Sequence, residues 1–401
     1  MDAVTFGKTI ATLRRGAGMT QLALAVRLGV SDKTVSKWEN GQGFPDVTLF
    51  SVIASFFGVS VDYLMTGVRR GIAVAGNLIA DIVKSIDLYP KMGMLTYVSD
   101  ITNAVGGCVP NTAIDLARID RALPVSAIGK VGNDEYGRFI VSELRRAGVN
   151  VDGISYSDKT CTSFCDVMSM PSGERTFFHK KGANAELSLE DINVNSLCCD
   201  IFHIGYILLL DKLDADDGEY GTVMARLLKW VQDKGIKTSI DVVSDSTADY
   251  KSRIVPALKY TNYAIMNEIE ACTIWSLDPR LPDGSIDRDN VILAMRKMAE
   301  AGVSDKVVVH SREASFSLDC HSGAVCEVES FDIPSSLIKG RVGARDAFCA
   351  GCLYAIYNGF SDRDMLEFAT GSATCNLFEV NSVDGMRPKN EILRLIEEYR
   401  K

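Results

Sequence analysis

The sequence predicts two architectures in one chain: a small all-α front containing a helix-turn-helix, then a long α/β body. Apolar residues in the first 66 positions recur at helical spacing. Beyond residue 71, short apolar strand patterns alternate with helix patterns, and a single hairpin pattern interrupts them. The body is therefore expected to be a mostly parallel sheet with helices on both faces and a small β lid. With 401 residues, 47% of them hydrophobic and 24% charged, the chain has length for two or three domains and is too apolar for wholesale disorder.

In the front, Phe6, Ile10 and Leu13 share one helical face. Leu22, Ala25, Val26 and Leu28 share the next, and Val35 and Trp38 form a third. Thr20 caps a helix over 21–28, Gly29 supplies a left-handed turn, and 32–40 forms the second helix of the pair. Closing helices are expected at 47–57 and 59–64, followed by a linker at 67–70. Residues 1–70 hold eight basic against five acidic residues in a chain of net charge −9, so any contact with a polyanion belongs to the front.

In the body, strands are expected at 71–77, 124–128, 199–204, 238–243, 263–266 and 306–309. Helices are expected at 112–119, 137–147 and 220–234. A hairpin over 162–170 and 175–179, turning at 171–174, is expected to join 82–98 in a small sheet over a pocket.

Three constellations bear chemistry. Gly106-Gly107, followed by Asn111 at the start of a helix, lets backbone approach a ligand closely or serves plain packing. The glycine loop 340–345 opens a helix carrying Asp346 in its first turn. Its free N–H groups suit a phosphate, and Asp346 is either a proton acceptor beside that phosphate or a simple helix-start residue. Asn267 and Glu270, three apart at a strand-to-helix corner, either order magnesium waters or lie as solvated surface charge. No Gly-Lys-Ser/Thr follows the glycine loop, so it is not a Walker A motif.

Other classes fall away. The longest apolar run, 201–210, carries His203 and is far shorter than the ~20 residues that cross a bilayer. No basic stretch followed by an apolar one opens the chain, so a cytoplasmic protein with no membrane contact is expected. Eleven scattered cysteines and four histidines argue against a disulfide framework or a zinc site. Cys349 and Cys352, one helical turn apart, read as small buried residues.

The string MTQLALAVRLGVSDKTVSKWENGQGFPDVTLFSVIASFFGVSVDYLM resembles the Cro/repressor-type (XRE) DNA-binding domain. The resemblance implies a second helix in the major groove of double-stranded DNA. Ser31, Lys33, Thr34, Ser36 and Lys37 would face bases or phosphates, and Gln21 the backbone. One module over residues 1–66 reads only a half-site, so a homodimer is expected.

Residues 71–401 resemble the ribokinase-like (PfkB) carbohydrate kinases through GNLIADIVKSIDLYP, GGCVPNTAIDLARI, AIGKVGNDEYGRFIVSELRRAGV, NEIE and GARDAFCAG. This implies ATP-dependent phosphorylation of a sugar hydroxyl with Mg2+ and a β lid. By position, Asp346 would be the base, and Gly343, Ala344 and Arg345 the anion hole. Asp81, Gly106, Gly107 and Asn111, with Lys181 and Asn184, would hold the sugar. Asn267, Glu270, Ser311 and Thr370 would serve nucleotide and magnesium, with no direct side-chain metal ligand. Two departures stand out: Gly340 replaces the family's aspartate, and Arg345 replaces a glycine. The guanidinium either obstructs the transferring phosphate or binds it. The alternative reading is a sugar-sensing transcriptional regulator whose body binds ligand with weak or no catalysis.

Overall fold

Alternation of polar caps with apolar helical faces produces five helices at the front of this computed structural model. They are α1 (Ala3–Gly16), α2 (Gln21–Leu28), α3 (Asp32–Glu39), α4 (Val47–Phe57) and α5 (Val61–Thr66). The structure describes residues 2–57, 59, 61–68, 70–171, 174–244 and 249–400. Ser60 of the expected closing helix, Arg69 of the linker, and Ser172 and Gly173 of the hairpin turn lie outside the described residues.

Thr20 caps α2 by accepting from the Ala23 amide at 3.1 Å, and Gly29 ends it at φ 67°. Phe6, Ile10, Leu24, Val35, Trp38, Ile53 and Leu64 form the buried centre of this domain. Gly7 allows α1 to lie against the end of α3, since a Cβ there would stand 2.2 Å from the Trp38 carbonyl oxygen. The expected face of α2 needs correction. Leu22 and Val26 are 61% and 73% exposed, and burial runs through Leu24, Ala25 and Leu28. Positions 22 and 26 are one turn apart on the opposite side of a short helix that has only one face to bury.

The body opens with β1 (Ile72–Gly76), β2 (Ile79–Ile86), β3 (Val98–Gly106), α6 (Cys108–Ile119), β4 (Val125–Gly132), α7 (Glu135–Arg146) and β5 (Asn150–Ser157). Then come β6 (Ser163–Ser169), β7 (Arg175–Lys180), β8 (Ile201–Ile207), β9 (Asp216–Asp217), β10 (Gly221–Thr222), α8 (Val223–Asp233), β11 (Lys237–Val242) and α9 (Tyr250–Leu258). The rest is β12 (Tyr263–Asn267), α10 (Glu268–Thr273), α11 (Arg288–Ala301), β13 (Lys306–His310), β14 (Ala314–Asp319), β15 (Val325–Glu329), α12 (Ala344–Tyr357), α13 (Asp362–Leu377) and α14 (Lys389–Tyr399).

Nine strands form one sheet in the order β15-β14-β13-β12-β11-β8-β1-β4-β5. It is parallel from β13 to β5, and β14 and β15 close one edge antiparallel. Every residue of β1 is buried, because helices cover both faces: α6, α12 and α13 on one, α8, α9 and α11 on the other. The second sheet, β3-β2-β6-β7, is the lid. It uses two antiparallel strands ending at Ile86 and starting at Val98 rather than one run over 82–98. The helix expected at 220–234 begins instead at Val223, where Thr222, paired with Asp216, caps it.

The linker is anchored where the body begins. Asp200 accepts from the Arg70 amide at 2.9 Å, and Tyr357 at the end of α12 accepts from the Gly71 amide at 3.2 Å.

Candidate active site

β1, β8, β11 and β12 deliver their carboxyl ends to one edge of the sheet, and α12 starts there. Gly343 precedes α12 at φ 77°, and a Cβ on it would lie 2.2 Å from the Ser382 carbonyl oxygen. Only glycine satisfies both constraints. The turn places Asp346 in the first turn of α12, only 3% exposed. Its two oxygens are held separately: Tyr206 donates its phenol to Oδ1 at 2.5 Å, and Asn111 donates Nδ2 to Oδ2 at 2.9 Å. Asn111 is itself oriented by Ser382, whose hydroxyl donates to Oδ1 at 2.8 Å. Burial pushes the Asp346 carboxyl above its ordinary value, against the pull of these two donors and the Arg345 charge.

Asp81 on β2 faces the same space. Gly106 makes room for it, since a Cβ there would stand 2.3 Å from Asp81 Oδ2. Burial, then the nearby Asp346 charge, pushes Asp81 up to about 7, with Arg175 of the lid opposing. Gly107 precedes α6 at φ 84°, close over the Asn77 carbonyl. The structure thus brings Asp81, Gly106, Gly107, Asn111, Gly343, Ala344, Arg345 and Asp346 together from three separate stretches of chain.

Arg345 forms an ion pair with Glu270, whose side chain has no exposed surface. The same guanidinium donates to the Val242 carbonyl at 3.3 Å, beside the buried Asp241. Asn267 and Glu270 cap α10 reciprocally: Asn267 Oδ1 accepts from the Glu270 amide at 2.8 Å and Glu270 Oε2 from the Asn267 amide at 3.1 Å. Ser244 donates to Glu270 Oε1 at 2.8 Å, and Asn267 Nδ2 lies 3.3 Å from the Ser244 hydroxyl. The pair is therefore not solvated surface charge. Burial raises both Asp241 and Glu270, while Arg345 pulls each down.

The remaining expected residues lie apart from Asp346. Asn184 is fully buried, accepting from the Leu78 amide at 3.0 Å and donating to the Leu78 carbonyl at 3.2 Å. Lys181 pairs with Asp211 at 2.6 Å on the wall of a cavity of about 510 Å³ that neither Asp346 nor Asp81 lines. Ser311 shapes the turn from β13 to β14, accepting from the Ala314 amide at 3.0 Å. Thr370, on α13, lies 3.4 Å from the Ser315 hydroxyl. Cys349 and Cys352 are both buried and reduced.

In the front, Lys33 and Lys37 are exposed on α3. Ser31 caps that helix, accepting from the Thr34 amide at 3.1 Å, and its hydroxyl lies 2.8 Å from that of Thr34. Ser36 is half-buried and lies 3.4 Å from Asn40 Nδ2. Gln21 donates to Glu39 at 2.8 Å. Glu39 also takes a two-pronged bond from Arg14 at 2.5 and 2.8 Å, and Arg14 donates to the Met19 carbonyl at 2.6 Å.

Residues 71–389 match the pfkB family carbohydrate kinases. The chain belongs to that family. Among curated relatives of this pfkB-family chain, 5-dehydro-2-deoxygluconokinase of Clostridium tetani is 23% identical over 315 residues, covering 74% of this chain and 85% of the relative. Fructokinase-1 of Zea mays is 22% identical over 332 residues, covering 78% and 95%. Ribokinase of Arabidopsis thaliana, solved with ribose and ATP, superposes with a TM-score of 0.67 at 20% identity, covering 82% of this chain and 99% of that one. A putative ribokinase II of E. coli in complex with ATP and Mg2+ superposes with a TM-score of 0.64 at 19% identity, covering 82% and 99%. Both superpositions establish a ribokinase-like fold. Residues 10–64 match a helix-turn-helix family. The HTH-type transcriptional activator BcrR of Enterococcus faecalis is 40% identical over 62 residues, 16% of this chain and 30% of that protein. Among the described residues no helix is long and apolar enough to cross a membrane.

Sequence reasoning missed Tyr206, Ser382 and Asp241, all of which crowd the start of α12. Each lies in a loop or at a strand end without a motif of its own. The one available signal was position, because ligands of parallel sheets gather at the strands' carboxyl ends.

Proposed function

We propose that the body, residues 71–401, phosphorylates a hydroxyl of a sugar with ATP as donor. The two-donor cradle around Asp346 carries this reading. A buried carboxylate raised above its ordinary value is the stronger base. It would take the proton of the acceptor alcohol as that oxygen bonds to the transferred phosphorus, with ADP as leaving group and the proton retained on the carboxylate. To receive the alcohol, one oxygen of Asp346 must release its present donor. The first-turn amides of α12, at Ala344 and Arg345, have no intrahelical acceptors and would meet the phosphoryl charge. Asp81, Gly106, Gly107 and Asn111 would hold the sugar hydroxyls. Lys181 would approach the sugar only by leaving Asp211, and Asn184 would support the site through its clasp on Leu78. Ser311 and Thr370 would flank the nucleotide.

The donors present do not fit magnesium. Asn267 and Glu270 are consumed by each other, by Ser244 and by Arg345. No step of the proposed transfer is routed through magnesium.

Residues 1–66 would bind double-stranded DNA as part of a cytoplasmic homodimer, joined to the body by 67–70. The exposed Lys33 and Lys37 on α3 support this. A second reading, a sugar-sensing regulator with weak or no catalysis, is favoured by the Arg345–Glu270 pair, which puts a guanidinium where the family has a glycine. An ATP-consumption screen over pentoses, hexoses, keto-deoxy acids and nucleosides, run beside Asp346→Asn, decides. Turnover above that variant supports the kinase. Sugar-dependent DNA affinity without turnover supports the sensor.

A further inference from the structure

At the start of α12, three buried acidic side chains meet the guanidinium of Arg345. Glu270 has no exposed side-chain surface, Asp241 is 5% exposed and Asp346 is 3% exposed. Three buried acids therefore converge on one edge of the sheet. The cation among them is Arg345, which touches Glu270 and the carbonyl next to Asp241 and sits beside Asp346 in sequence. Its side chain keeps 38% of its surface exposed, so it also reaches open space. His310 lies near but is no help: burial first, then the Arg345 charge, pushes it down to about 3, and it stands uncharged against Phe348 with ring centroids 4.7 Å apart. Leaving carboxylates this buried without a counter-charge would be costly.

We propose that Arg345 is a built-in cation that takes the place of a divalent metal in this site. A ligand carrying phosphate is then held by the guanidinium and the adjoining helix amides without magnesium. Guanidinium suits this role: it is always charged, and its fork binds a carboxylate on one side while leaving donors for a phosphate on the other. The inference builds on the phosphate-binding half of the proposed function, but its test does not require turnover.

Two measurements on the full chain test it. In the first, ADP binding is measured by calorimetry with EDTA and with Mg2+. The wild type is expected to bind with nearly equal affinity in both, and Arg345→Gly to become metal-dependent by about tenfold or more, an ordinary size for coupling between two ligands. In the second, Mn2+ is titrated without nucleotide and followed by electron paramagnetic resonance. Arg345→Gly is expected to bind one ion more than the wild type, while Arg345→Lys, which keeps the charge, binds no extra ion.

ADP binding to the wild type that requires Mg2+ overturns the proposal. So does an Arg345→Gly protein with no added Mn2+ site. If ADP binds neither protein under any condition, the ATP-donor reading fails separately, and the Mn2+ count alone upholds or overturns the arginine's role.

Discussion

Two arginine–glutamate pairs, one in each domain, are built to opposite ends. In the front, Arg14 and Glu39 join α1 to α3 with 11% and 5% of their side chains exposed. Every polar atom there has a protein partner: two prongs to Glu39, Met19 for the third donor, Gln21 for the acid. In the body, Arg345 and Glu270 also pair, but Asp241 and Asp346 stand close by and the guanidinium remains partly open. A closed pair fixes one fold. An open pair amid surplus acid keeps charge available for something else. On the proposed reading, the first pair is a structural bridge and the second a place for a phosphate.

The largest expected effect tests the surplus. Asp346→Asn should cut turnover by about 10²–10⁴, the usual weight of a positioned base, while sugar binding measured by calorimetry persists. Unchanged turnover would reduce Asp346 to a helix-start residue. The closed pair comes next. Glu39→Gln should cost about 3 kcal/mol in denaturant unfolding of the front, because it strands the Arg14 charge. A loss well under 1 kcal/mol would make the pair a surface-like contact.

Asp81 tests the surplus through pH. Its folded value, about 7, lies above the ordinary 3.8, so its cost to folding is absent below pH 3.8. It grows as pH rises towards 7 and is complete above that. Asp81→Asn should therefore gain about 4 kcal/mol over the wild type at pH 8 and nothing at pH 3.5, read from urea midpoints. A pH-independent difference would show that Asp81 is not held neutral by the fold. The smallest effect concerns Tyr206. Removing its hydroxyl takes a donor from ionised Asp346, so in Tyr206→Phe the acidic limb of the rate profile should move up by about one pH unit. A limb that stays in place would assign it to another group.

Periodicity and caps made much of this legible. The pair α2–α3 could be read because Thr20, Gly29 and Trp38 each report local backbone or burial requirements. The core strands could be read because a doubly covered parallel sheet leaves continuous apolar runs, as in 201–204. β3, β14 and β15 were not legible, since their sequences mix polar and apolar residues in lid or edge positions. Within the site, Asp346, Asn111 and the glycines were visible as motifs. Their partners Tyr206 and Ser382 were not, because they meet Asp346 and Asn111 only through contacts 140 and 271 residues apart. The destination of the Arg345 side chain was equally hidden, as Glu270 lies 75 residues away.

Helix α12 has an end in each half of this story. Asp346 stands in its first turn, and Tyr357 at its last turn holds the amide where the body begins. Just past it, Gly359 lies so near the front that one added carbon would stand 3.3 Å from the Phe57 carbonyl oxygen. At 1.5 Å per residue the helix is a lever arm of about 20 Å. A rigid shift of this helix at Asp346 would be felt at the contact between Gly359 and Phe57.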